Sequence, residues 1–167
     1  MAAETSFSSV LWSNFLKYDF IIFLFAIITG IVLFLTLRST KKLFDLMNQV
    51  VYLPEKDGVD LVGGRIEGVR EYDVVLLRRR MTGAYSVFAN LIMIFPLLGI
   101  LGTVLSLLPM VSTMGQSEMQ ANFFLALTST LWGLVFAIIY KAVDGFVAGQ
   151  VEDNENAVQL YLQRAGK

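Results

Sequence analysis

Two threonines carry the chemistry this chain offers inside apolar sequence. Thr103 lies in Phe95-Pro96-Leu97-Leu98-Gly99-Ile100-Leu101-Gly102-Thr103-Val104, and Thr130 opens Thr130-Leu131-Trp132-Gly133-Leu134-Val135. A hydroxyl at membrane depth helps coordinate a sodium ion or holds a water that relays a proton, and two threonines do not decide between these uses. The plain alternative is that each hydroxyl bonds a carbonyl of its own helix one turn back and does nothing further. Other chemistry is scarce. The chain has no histidine and no cysteine, which removes the usual general base, the commonest metal ligand and any disulfide. Between Ser86 and Tyr140 the only acid is Glu118. General acid–base catalysis therefore has no residues to work with there, and no enzyme activity, cofactor or metal is expected. A net charge of −1 gives no electrostatic case for nucleic acid.

Small residues surround both threonines. At about 100° per residue, Pro96, Gly99, Thr103, Leu107 and Met110 share one helical stripe, with Gly102 on the adjoining face. Phe123, Ala126, Thr130, Gly133 and Ala137 share another, and Ala126 to Thr130 and Gly133 to Ala137 are small-xxx-small pairs suited to close helix contact. Pro96 cannot donate a backbone hydrogen bond, which is tolerable mid-span where a neighbouring helix or water satisfies the freed carbonyl. The second stripe continues as Lys141, Asp144 and Ala148. Lys141 and Asp144 read as an exposed i, i+3 ion pair; the sharper reading makes them the cytoplasmic mouth of a pore.

The elements that must position these residues follow from composition. At 56% hydrophobic, the chain exceeds the roughly half expected of a soluble domain, and the excess falls in three blocks. The predicted fold is an all-α membrane protein with three transmembrane helices, spans two and three forming a long hairpin that extends into the cytoplasm. Residues 1–19 form an N-terminal segment, read as an interfacial helix or as a lead-in to the first span. They lack the basic start and small-residue cleavage site of a signal peptide. Span one, 20–37, is just long enough to cross a ~30 Å hydrocarbon core; its even apolar surface predicts a lipid-facing helix. Residues 38–84 hold Arg38, Lys41, Lys42, Lys56, Arg65, Arg70 and Arg78-Arg79-Arg80, most of the 13 basic residues. The positive-inside rule makes this loop cytoplasmic, and Arg78-Arg79-Arg80 reads first as a topology anchor. A helical rhythm runs to about Tyr52, breaks at Pro54, Gly58, Gly63 and Gly64, and resumes near Arg65. Span two occupies 85–111. Residues 112–120, without Lys or Arg, form an outer link. Span three with its extension occupies 121–149, and 150–167 is a polar tail, weakly amphipathic through Val158, Tyr161 and Leu162.

With these residues in place, the sequence resembles the MotA/TolQ/ExbB family of ion-channel motor subunits. Pro96 to Val104 fits the family's P-x-x-G-x-x-G-T-V pattern at every fixed position, and Thr130 to Val135 resembles its T-x-x-G-L-[VF] segment. The topology agrees over roughly residues 20–150. The resemblance implies a homopentamer in the cell inner membrane, N-terminus periplasmic and C-terminus cytoplasmic, around a dimer of a single-span MotB/TolR/ExbD-like partner. An aspartate on the partner's helix binds the travelling proton or sodium ion. By position, Thr103 and Thr130 resemble the pore threonines, and Pro96, Gly99, Gly102 and Gly133 the packing residues. Ion flow then drives work on the cell envelope through the partner.

One departure stands out. Members of the family often carry a glutamate five positions before the span-three threonine, where this chain has Leu125. The sequence therefore predicts that the subunit supplies no buried carboxylate of its own. A proton- or sodium-driven motor subunit is the leading reading, and a non-conducting scaffold of the same fold is the alternative.

Overall fold

Long apolar runs must satisfy every backbone N–H and C=O within themselves, and in lipid the helix is the way a single segment does so. The computed structural model describes residues 19–51, 71–108 and 116–165. They form three helices: α1, Phe20–Val51; α2, Glu71–Leu107; and α3, Gln116–Ala165. No strand occurs among the described residues. All three helices are long and apolar enough to cross a membrane, so the all-helical, three-span membrane fold stands. The N-terminal segment up to residue 18, the Pro54–Gly64 break, the Arg65 restart and the link around Pro109 lie outside the described residues.

The helices do not stop where the apolar runs stop. α1 continues through Lys41 and Lys42 to Val51, and α2 starts fifteen residues before Ser86 and passes it unbroken. α3 has 50 residues and carries the polar tail as its last turns, with Val158 and Tyr161 buried. It begins at Gln116, inside the segment read as the outer link.

Residues 19–30, 90–108 and 116–142 pack as one unit, and residues 31–51, 71–89 and 143–165 as another. The first is centred on Ile22, Ala26 and Phe95, with Phe25, Leu98, Trp132, Phe136 and Tyr140 against them. Its rings interlock: Phe95 stacks on Tyr140 at 5.4 Å, Phe25 meets Phe95 edge-on at 5.0 Å, and Phe23 meets Trp132 edge-on at 5.0 Å. The Tyr140 hydroxyl donates to the Ala26 carbonyl at 2.7 Å, which gives this amphipathic ring its polar partner.

The second unit buries Leu43, Met47, Val74, Met81, Val147, Val151, Val158 and Tyr161. Asn154 sits among them at 1% exposure. Its amide donates to the Thr40 carbonyl at 2.9 Å and points at the Met81 sulfur at 3.5 Å. At the margin, Arg78 donates from Nε (3.1 Å) and Nη2 (2.5 Å) to Glu155, whose other oxygen accepts from Thr82 at 2.9 Å. The Arg78 guanidinium holds the Glu155 carboxyl below its usual range. Arg78 thus has an intramolecular partner that the topology-anchor reading did not include.

Span one needs correcting. It does not face lipid on all sides: Ile22, Ala26, Thr29 and Thr36 are buried, and Thr40, Leu43 and Met47 continue the row beyond it, at steps of three, four or seven, one face of a helix. Thr29, Thr36 and Thr40 are accommodated there because each donates to the carbonyl four residues back, Phe25, Val32 and Thr36, at 2.9 Å. When a helix is apolar all round, hydropathy does not mark its packed side. Residue size and self-satisfied hydroxyls do.

Candidate functional site

The region around Thr103 and Thr130 belongs to the first unit, and glycines bring α2 and α3 together there. A Cβ on Gly133 would stand 2.8 Å from the Phe95 carbonyl oxygen and 2.9 Å from Gly99 Cα. A Cβ on Gly99 would lie 3.2 Å from Thr130 Cα, and one on Gly102 would overlap the Ser129 side chain. Only residues without a Cβ allow two backbones this close. Ala126 is buried, Ala137 and Pro96 are half-buried, and Ala137 packs on the aromatic cluster.

The two threonines sit at the edge of this contact, half-buried. Thr130 Oγ1 is shared between the carbonyl of Gly99 on α2 and that of Ala126 on α3, at 3.4 Å each. These are long bonds, easily exchanged. Thr103 Oγ1 donates to Ile100, three residues back. The two hydroxyls therefore donate to backbone rather than to each other. With its one proton committed, each still presents oxygen lone pairs. That leaves an oxygen able to face a cation or accept from a water or hydronium.

Of the expected stripe on α3, Ala126 and Gly133 are buried and Thr130 and Ala137 half-buried, but Phe123 is 52% exposed, and Ser129, at 1%, shares the contact. Ser129 Oγ is buried without a hydrogen-bond partner. Nothing in the sequence singled it out. The signal available was its position, four before Gly133, which makes Ser129 and Gly133 a small-xxx-small pair, and three after Ala126. On α2, Ser106 extends the same close-packed face, buried at 2% and donating to the Gly102 carbonyl at 2.7 Å.

Two further expectations change. Lys141 is exposed, but Asp144 is 5% exposed, so its carboxylate is buried where an exposed one was expected. The expectation of no buried carboxylate also fails: Asp19, directly before α1, is fully buried. It lies against the Thr128 hydroxyl. It was overlooked because it falls at the end of the apolar run rather than inside it. Among the described residues no group of three or more metal-ligating side chains occurs.

Three apolar helices, two of them closed on each other through glycines, define a polytopic membrane protein. The MotA/TolQ/ExbB proton channel family matches residues 60–159, more than half of the chain, and the chain belongs to this family. It is a channel family, not an enzyme family. No curated protein and no solved structure matches the chain.

Proposed function

We propose that this chain is a pore-forming outer-ring subunit of an ion-driven motor in the cell inner membrane. Five copies surround a dimer of a single-span MotB/TolR/ExbD-like partner whose intramembrane aspartate carries the ion, a proton by the commoner use in the family. Thr103 and Thr130 line the path, Pro96, Gly99, Gly102, Gly133, Ala126 and Ala137 keep the helices in register, and Lys141 and Asp144 lie towards the cytoplasmic mouth. The partner then converts ion flow into work on the cell envelope. The observation that carries this reading is Thr130, held between the Gly99 and Ala126 carbonyls by long bonds within a contact that leaves no room for a side chain on Gly133 and little on Gly99.

The test is the double substitution Thr103→Val and Thr130→Val, which keeps shape and removes both hydroxyls. Proton uptake into liposomes holding the subunit and its partner should fall to background while the oligomer persists. Full uptake in the double variant would overturn the reading. One observation favours the alternative, a non-conducting scaffold: Leu125 stands where the family often has glutamate, and it is buried.

A further inference from the structure

Asp19 is fully buried, and neither of its carboxyl oxygens has a hydrogen-bond partner. The polar group acting on it is the Thr128 hydroxyl, whose single proton goes to the Leu125 carbonyl at 3.0 Å. Beside it, Ser129 Oγ is also buried and without a partner. Ser129 borders a cavity of about 30 Å³ that Ile21, Ile22 and Gly102 also line, enough volume for one water molecule. The charges facing Asp19 are few. Residues 90–108 of α2 carry no ionisable group. On α3 the other ionisable side chains described in this unit are Tyr140 and Lys141, more than three helical turns beyond Thr128. Among the described residues, no cation compensates Asp19.

We propose that Asp19 is a proton-binding site that this subunit itself brings to the ion path, holding the proton against Thr128. A carboxylate buried without a cation or a donor is costly, and binding a proton removes that cost. The neutral carboxyl also gains a partner. Its O–H donates to Thr128 Oγ1 while the Thr128 proton stays on the Leu125 carbonyl, so one carboxyl oxygen gains a partner. The ionised form gains one only if the Thr128 hydroxyl turns away from Leu125 to donate to it. The exchange is proton transfer alone: the carboxyl O–H breaks on release and re-forms on uptake, with water or hydronium as the other party. That the proton travels onward rests on the pore reading above; that Asp19 binds one does not.

Infrared difference spectra of the full chain in liposomes, titrated from acid to alkaline pH, test this. At neutral pH the wild type should show a protonated-carboxyl C=O band that Asp19→Asn lacks. The band should persist, displaced, in Asp19→Glu and shift in Thr128→Val. Wild-type and Asp19→Asn spectra that coincide at every pH would overturn the proposal. If Asp19→Asn fails to fold by circular dichroism, the Asp19→Glu displacement decides instead. With the partner present, proton uptake should fall roughly tenfold or more in Asp19→Asn and recover in Asp19→Glu. Unchanged uptake in Asp19→Asn, alongside loss in the double threonine variant, would remove Asp19 from the path and leave the pore reading intact. Absence of uptake in the wild type would overturn the pore reading, and the infrared band would still decide the proton site.

Discussion

In the first unit the closest approaches are made by residues with almost no side chain. Gly133 meets the backbone of Phe95 and Gly99, and Gly102 meets Ser129. In the second unit, Leu43, Met47, Val74, Met81 and Tyr161 fill the space between the same three helices, and its glycines Gly83, Gly145 and Gly149 have nothing within 4 Å of a Cβ position. The difference follows from solvent. Between helices in lipid there is little hydrophobic gain, because the tails are as apolar as leucine, and association relies on backbone proximity and van der Waals packing. Burying large apolar side chains, as the second unit does beside its charged residues, is the arrangement that water favours. Polar groups differ too. Both units tie threonine hydroxyls to helix carbonyls, but the second adds a buried amide at Asn154 and a charged pair at its margin, where the first leaves Asp19 and Ser129 without partners.

The sharpest way to break this contrast is to place the same kind of change in each unit. Gly133→Val should abolish the folded unit, read as loss of monodisperse protein in detergent, because backbone atoms at 2.8 and 2.9 Å have no rotamer to escape into. Gly149→Ala should instead stabilise α3 by about 0.5–1 kcal/mol, seen as a higher Tm, since alanine favours a helix interior over glycine. Similar losses at both positions would contradict the contrast. Next in size, Tyr161→Ala in the second unit should cost about 3–5 kcal/mol by cavity formation, measured as a lower midpoint of thermal unfolding. A change under about 1 kcal/mol would mean that the large-residue core is not what holds this unit together.

The smallest effect is expected at Glu155. Arg78 lowers its carboxyl below the ordinary value of 4.5, so the pair's contribution is present above that value and is lost as pH falls through the lowered one. The side chains are 35% and 25% exposed, and screening keeps the contribution at or below about 1 kcal/mol. Glu155→Gln should therefore lower stability slightly at neutral pH and flatten its acid dependence. Equal slopes for wild type and variant below 4.5 would remove the pair from the account.

The three spans were legible because length and the absence of charge suffice to identify a membrane helix, and the glycine–threonine motif was legible from spacing alone. The packed side of α1 was not. Ile22, Ala26, Thr29 and Thr36 sit in a run that is apolar on every face, so no periodic contrast betrays which residues turn inward. Ser129 was hidden behind Thr130, its neighbour on the same turn, because a one-residue rotation of α3 exchanges them. Asp19 escaped because the residue it meets, Thr128, is more than a hundred positions away. The Arg78–Glu155 pair and the Asn154–Thr40 bond likewise join residues far apart in the chain, and no local pattern encodes such pairings.

The central claim is that five copies of this chain enclose an ion-carrying partner with Thr103 and Thr130 turned towards it. The direct measurement is a cryo-EM copy count of the detergent-purified protein co-expressed with a single-span partner. Five subunits around two partner helices, both threonines facing them, is the predicted result. A monomer, or a ring filled with lipid that excludes the partner, would contradict the claim.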